Sequence, residues 1–296
     1  MIRDFIEKNN IECICDSSLK KYNTYRLDIK AKYIVFPKDV MELKKIISYV
    51  IKNRIKYFVL GNGSNIVLAC DYYDGVVIKL DKFNDIEIRD NIVAVGAGYS
   101  LIKLSIETIN NSLAGLEFAA GIPGSVGGSV AMNAGAYNSS MADVIKEVIV
   151  LDDKQEVRTL SNDDLNYSYR NSFLKEHTDY IVLKAIFKLE HGDKEELLKI
   201  INDRKERRMI SQPLDKPSAG SVFRNPTGMY AGALIEECGL KGYSIKGAKV
   251  SEKHANFIIN DGDATGYDIE KLIYYIRDKV KERFDVELKF EQIIIK

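Results

Sequence analysis

Residues Gly121 to Tyr137 read GIPGSVGGSVAMNAGAY, five glycines in seventeen positions threaded with small side chains. Glycine loses more backbone freedom on folding than any other residue, so it gathers where φ must be positive or where something large approaches closely. A second cluster, Gly61-Asn62-Gly63-Ser64-Asn65, follows the apolar run Tyr57-Phe58-Val59-Leu60. Two glycine loops after apolar segments point to bare amide N–H groups gathered round a diphosphate. Neither is a P-loop, because no Gly-Lys-Ser/Thr follows, and neither is the G-x-G-x-x-G that opens a dinucleotide-binding helix. A phosphate-bearing ligand held in another way is the first reading.

Around these loops, short apolar runs alternate with charged turns. The patterning predicts strands at Tyr33–Phe36 (stopped by Pro37), Tyr57–Leu60, Val76–Leu80, Ile86–Arg89 and Ile92–Val95, with helices at Val40–Lys52 and Leu101–Ile109. Strands follow at Glu147–Leu151, Val157–Leu160 and Tyr180–Leu189, so the first half reads as α+β. A charged helix over Asp193–Arg208 ends in Arg204, Lys205, Arg207 and Arg208, cations that suit a last turn and a solvated face. A domain boundary is placed near residue 195. Beyond Pro213 and Pro217 the pattern gives a helix at Ala231–Cys238, a strand at Asn256–Ile259, an amphipathic helix from Ile269 to Phe284 and a last strand from Val286 to Ile295.

The bulk properties narrow the function. A chain of 296 residues exceeds one usual core, so two or three packed units are expected. With 43 basic and 43 acidic side chains, the formal charge is zero, which argues against a nucleic-acid groove or an anionic membrane as the main partner. No apolar run reaches transmembrane length, and the N-terminus lacks the apolar core of a signal peptide, so a cytosolic protein is expected. Cys13 and Cys15 form C-x-C rather than C-x-x-C, and Cys70 and Cys238 are scattered, so reduced thiols are the reading. His177, His191 and His254 are too dispersed for a metal site.

Three further segments could carry chemistry. Arg170 lies in Tyr167-Ser168-Tyr169-Arg170-Asn171-Ser172-Phe173, where its fork could meet a carboxylate or phosphate. Ser221 follows Gly220, without the G-x-S-x-G elbow of a serine hydrolase. Glu287 and Glu291 are four apart, so a strand there would send both to one face. Alone, each has a blander reading: a structural arginine, a turn serine and a solvated strand face.

Taken in order, the segments become specific. Asn23-Thr24-Tyr25-Arg26, Gly61-Asn62-Gly63-Ser64-Asn65, Gly121-Ile122-Pro123-Gly124, Asn133-Ala134-Gly135-Ala136-Tyr137, Tyr169-Arg170-Asn171-Ser172, Ser218 to Pro226 (SAGSVFRNP) and His254-Ala255-Asn256-Phe257 run along nearly the whole chain. This series resembles the UDP-N-acetylenolpyruvoylglucosamine reductase family, in the shorter form that lacks an extra tyrosine-bearing loop. The resemblance implies an α+β fold, with a two-part FAD-binding domain of the vanillyl-alcohol-oxidase (PCMH) type and a C-terminal α/β substrate-binding domain. Residues 1–80 and 81–194 would form the two FAD subdomains and 195–285 the substrate domain, with the strand at 286–296 returning to the active site.

The resemblance also implies an activity: NADPH-dependent reduction of UDP-N-acetylglucosamine enolpyruvate to UDP-N-acetylmuramate, in cytoplasmic peptidoglycan precursor synthesis. Hydride would pass from flavin N5 to C3, and Ser221 would protonate C2. Arg170 and Glu291 would stabilise the intermediate, with Glu287 the fallback for Glu291. Non-covalent FAD would meet Gly61, Asn62, Gly63, Ser64, Asn65, Gly121, Ile122, Pro123, Gly124, Ser125, Gly128, Asn133, Gly135 and Ala136. Tyr169, Asn225 and His254 would meet the substrate, and no metal, nucleic acid or membrane is implied.

Two departures stand out. The family usually ends in a Pro-Glu-Val-Arg type sequence where this chain has Phe290-Glu291-Gln292-Ile293, and Asn138-Ser139-Ser140 replaces a glycine-bearing stretch, for which a local loop change is expected. The alternatives are a sugar or hydroxy-acid oxidase of the same flavin fold and a non-catalytic nucleotide-sugar binding protein.

Overall fold

A computed structural model describes residues 2–296 and separates the chain into two compact units. The first takes the chain up to Cys15, Lys32–Asn62 and Asp74–Lys205. Its centre is a five-stranded sheet in the order Val157–Ser161, Ile145–Leu151, Ile181–Lys188, Ile92–Gly96, Ile86–Arg89, antiparallel throughout. The middle strand is buried on both faces, as a near-continuous apolar run (Ile181-Val182-Leu183 and Ala185-Ile186-Phe187) requires. Leu101–Asn110 lays Leu101, Leu104 and Ile109 into this core and is capped by Ser100, whose Oγ accepts from the Lys103 amide at 3.4 Å.

A smaller sheet, ordered Cys13–Ser18, Lys30–Val35, Tyr72–Ile78, Tyr57–Val59, belongs mainly to the same unit. Tyr57–Val59 pairs in parallel with Tyr72–Ile78, Tyr57 opposite Val76. Val40–Lys52 buries Leu43, Ile46, Ile47 and Val50, the expected stripe, behind an Asp39 N-cap.

The second unit takes Asp16–Ala31, Gly63–Tyr73 and Glu206–Lys296. Ser244–Ile245, Ala248–Val250 and Ile258–Asn260 form an antiparallel sheet. The long helix Gly266–Phe284 opens on a capping box between Thr265 and Asp268 and buries Ile269, Leu272, Ile273, Ile276 and Val280. Its first residue is glycine because a Cβ there would run into the backbone carbonyl of Leu68.

The sequence reading needs correction at the C-terminus. The regular strand is only Ile293–Ile295, paired in parallel with Ile66–Leu68. Residues 286–292 run without a ladder, making only an isolated bridge between Phe290 and Phe223, so Glu287 and Glu291 do not share a strand face. Among the described residues no helix is long and apolar enough to cross a membrane, and no cluster of three or more His, Cys, Asp or Glu could hold a metal.

Candidate active site

In the first unit the two glycine segments meet. Asn62 Nδ2 donates to the Pro123 carbonyl at 3.2 Å, and a Cβ on Gly61 would lie 2.5 Å from Ser125 Oγ. The crowding at Gly61 therefore comes from the protein itself. Ser125 caps the six-residue helix Val126–Ala131, its Oγ accepting from the Gly128 amide at 3.4 Å. Gly121 closes a 3-10 turn, and the Ile122 amide bonds back to Ala119.

Backbone accounting distinguishes the loops from their surroundings. Among the described residues, the N–H groups of Gly61, Asn62, Gly63, Ser64 and Asn65 make no hydrogen bond, and neither do those of Gly124 and Ser125. Folded chains satisfy nearly all their amides, so a run of unpaired donors fits an acceptor-rich anion such as a diphosphate. Lys79 fixes the first loop. Its side chain is 4% exposed, and its Nζ donates to the Gly61 carbonyl at 2.6 Å and pairs with Asp81 at 3.2 Å. Burial holds its pKa below the usual lysine value, and the Asp81 charge partly offsets this. The sequence reading missed Lys79, although a lysine inside the apolar run Val76-Val77-Ile78-Lys79-Leu80 was the available signal.

Arg170 belongs to the same unit. Its guanidinium donates to the Asn133 carbonyl at 3.5 Å and to the Gly135 carbonyl, so its charge is steered by the glycine-rich segment. Asn133 holds its own loop twice, accepting from the Ala142 amide at 3.1 Å and donating to the Ser168 carbonyl at 2.8 Å. Ser172 Oγ donates to the Ala131 carbonyl at 2.6 Å. Tyr169 is 53% exposed, with the Arg170 guanidinium 5.1 Å from its ring centre. Gly135–Ala136 pairs with Ser139–Ser140 across Tyr137 and Asn138, both at positive φ. That pair of dihedrals is the mark of a two-residue type I′ hairpin.

The second unit carries Ser221, Glu291, Asn225, His254, Gly63, Ser64 and Asn65. Gly220 has φ +73°, and a Cβ there would meet no atom within 4 Å, so glycine serves the backbone angle and not tight space. Just beyond Ser221 the backbone is engaged: the Val222 amide bonds to the Asn256 carbonyl at 2.9 Å, and the Glu291 amide bonds to the Val222 carbonyl at 2.8 Å. Asn256, 4% exposed, locks Phe223 on both sides, accepting from its amide at 3.0 Å and donating to its carbonyl at 2.8 Å. Ser221 Oγ, by contrast, makes no hydrogen bond among the described residues.

The bond from the Glu291 amide to the Val222 carbonyl puts Glu291 beside the segment that follows Ser221, while Glu287 is exposed. Asn65 ties down the same stretch, donating to the Glu291 carbonyl at 3.1 Å and accepting from the Ile293 amide at 3.0 Å. Asn225 Oδ1 accepts from the Ala231 amide at 3.0 Å, which leaves its NH₂ group for a ligand. His254 Nδ1 accepts from the Asn256 amide at 3.2 Å, so the neutral ring carries its proton on Nε2. Burial also holds its pKa below the usual imidazole value.

Comparison with known proteins places this geometry. Residues 31–161 match the family model described as FAD binding domain, and residues 212–295 match UDP-N-acetylenolpyruvoylglucosamine reductase, C-terminal domain. A UDP-N-acetylenolpyruvoylglucosamine reductase from Caldanaerobacter subterraneus subsp. tengcongensis is 45% identical, over 94% of this chain and 91% of its own. UDP-N-acetylenolpyruvoylglucosamine reductase 1 from Bacillus thuringiensis subsp. konkukian is 41% identical, over 100% of this chain and 98% of its own.

The chain belongs to the UDP-N-acetylenolpyruvoylglucosamine reductase family.

The crystal structure of the Thermus caldophilus reductase superposes with a TM-score of 0.82 at 33% identity, covering 97% of this chain and 99% of that one. Membership of the reductase family makes this chain an FAD-binding oxidoreductase. The fold class expected from the sequence holds as far as an α+β chain with an FAD-binding domain followed by the reductase C-terminal domain.

Proposed function

We propose that this chain reduces the enolpyruvyl ether of UDP-N-acetylglucosamine to UDP-N-acetylmuramate, with NADPH as the source of hydride. The observation that carries the reading is Ser221: a hydroxyl without a partner among the described residues, next to the bonded backbone of Val222 and Phe223. Bound FAD would supply the redox chemistry, taking hydride from NADPH and passing it to C3 of the enolpyruvyl group.

The chain's own residues do the rest. The unpaired amides of Gly61 to Asn65, with those of Gly124 and Ser125, hold the cofactor's diphosphate. Gly121, Ile122, Pro123, Gly128, Asn133, Gly135 and Ala136 form the remaining cofactor wall. Hydride arriving at C3 leaves negative charge at C2 and on the adjacent carboxylate, and the fixed Arg170 cation stabilises it without reorganisation. Ser221 Oγ gives its proton to C2, and the alkoxide is reprotonated from solvent. A hydroxyl is a weak acid, but the developing carbanion is basic enough to take its proton. Hydride and proton together add two hydrogens across the double bond. Glu291, whose amide bonds to the Val222 carbonyl, polarises the intermediate. Tyr169, the free NH₂ of Asn225 and the Nε2–H of His254 contact the nucleotide sugar. On this reading residues 1–194 serve the cofactor, 195–285 the substrate, and the enzyme works in the cytoplasm on a peptidoglycan precursor.

The test is a product assay. With NADPH and the enolpyruvyl nucleotide sugar, the protein should consume NADPH in step with a product heavier by two hydrogens. Consumption of oxygen instead, with a sugar or hydroxy acid as reductant, would make it an oxidase.

A further inference from the structure

The sequence departs from the usual family ending at Gln292, and the structure gives that residue a task. Gln292 is 4% exposed, and its Nε2 donates to two consecutive carbonyls, Ala219 at 3.0 Å and Gly220 at 3.1 Å. Its Oε1 accepts from the hydroxyl of Tyr25 at 3.1 Å. Only this orientation of the amide satisfies the site, because a flipped amide would set its oxygen against two carbonyl oxygens. Tyr25 is fully buried, and burial holds the phenol in its protonated, donating form. The Tyr25 carbonyl is itself held by Asn260 Nδ2 at 2.9 Å.

The two carbonyls gripped by Gln292 flank the φ +73° turn at Gly220 that precedes Ser221. No other side chain among the described residues bonds to those carbonyls. On the far side of Ser221, Asn256 fixes Phe223. The serine thus sits between two buried carboxamide clamps, one at its entry and one at its exit.

We propose that Gln292, oriented by Tyr25, is a positioning residue that fixes the Gly220 turn and so aims the Ser221 hydroxyl for proton delivery. The proposal rests on the reductase reading for the reaction that Ser221 serves, but the clamp itself is testable without turnover. Gln292→Met keeps the volume and removes both donors; Tyr25→Phe keeps the ring and frees the amide to turn.

Two readouts on the FAD-loaded and cofactor-free protein decide it. In the loaded enzyme, Gln292→Met should leave flavin reduction by NADPH within about twofold and slow reoxidation by the enolpyruvyl sugar about 10- to 100-fold, the usual cost of a misaimed group. In a Ser221→Ala background the same change should cost less than about twofold, because the two residues act through one atom. Tyr25→Phe should show the same pattern more weakly. In the cofactor-free protein, amide exchange at the turn, read at the bonded Val222 amide that follows it, should rise about tenfold in Gln292→Met, with the rest of the unit unmoved.

Equal slowing of both half-reactions, or the same loss with and without Ser221, would reduce Gln292 to a structural residue and overturn the proposal. So would unchanged exchange at the turn. If the parent enzyme fails to reoxidise with the enolpyruvyl sugar while exchange at the turn still responds, the reductase reading falls and the clamp stands.

Discussion

The loop Gly61 to Asn65 and the segment carrying Ser221 are built on opposite plans. In the loop the backbone is left open: five consecutive amides make no hydrogen bond among the described residues. Just beyond Ser221 the backbone is closed, with Val222, Phe223 and Glu291 all bonded, and the Ser221 hydroxyl beside them makes no hydrogen bond among the described residues. The difference teaches what each region must do. A segment that holds a fixed anion gains by offering many donors at once, since each unpaired amide is satisfied when the ligand arrives. A segment that moves one proton gains by offering one group on a rigid frame.

The largest expected effect tests the closed region. Ser221→Ala should slow flavin reoxidation by the enolpyruvyl sugar by about 10³-fold or more while leaving reduction by NADPH nearly intact, as for loss of a general acid. Equal slowing in stopped-flow traces of both half-reactions would remove Ser221 from that role. Arg170→Ala comes next. Loss of a preorganised charge should lower kcat by about 10²- to 10³-fold with FAD retained. Release of FAD on gel filtration as the main effect would assign Arg170 to the open region instead.

Lys79→Met probes the open region directly. Removing a charged hydrogen bond to the Gly61 carbonyl should weaken FAD binding about 10- to 100-fold by fluorescence titration. The thermal midpoint of the apoprotein should barely move, because an apolar side chain of similar length replaces a buried cation at little cost. A large fall in that midpoint with FAD affinity unchanged would contradict the assignment.

The smallest effect concerns His254. Burial holds its folded pKa below the usual imidazole value of about 6.5, so the unfolded chain binds the proton more readily. The contribution is therefore intact above that value and is lost as pH falls through it towards the folded pKa. His254→Gln should flatten that part of a stability-versus-pH curve measured by urea denaturation; an unchanged slope would mean that the burial of the ring is immaterial.

The sequence was most legible where one period dominates. The helix Val40–Lys52 and the strand Ile86–Arg89 lie where their apolar spacing put them. Val126–Ala131 was not read as a helix because two of its six residues are glycine. It is held by tertiary bonds, from the Val126 amide to Tyr99 and the Gly127 amide to Ala97, which no local propensity reports. The last strand was overdrawn because residues 286–292 alternate like a strand but find only one bridging partner.

At the site, the segments that carry a hydroxyl, a cation or unpaired amides were visible as motifs. Their supports were not. Gln292 looks like an ordinary surface residue in a string of letters and Lys79 is marked only by its apolar neighbours, and the fold shows that both are buried against a carbonyl.

The contrast between the open and closed regions comes down to one anaerobic absorbance experiment on the FAD-loaded protein. NADPH is added until the flavin bleaches, and the enolpyruvyl nucleotide sugar is then supplied. Prompt return of the oxidised flavin spectrum is the predicted result, and bleaching with no return would contradict the account.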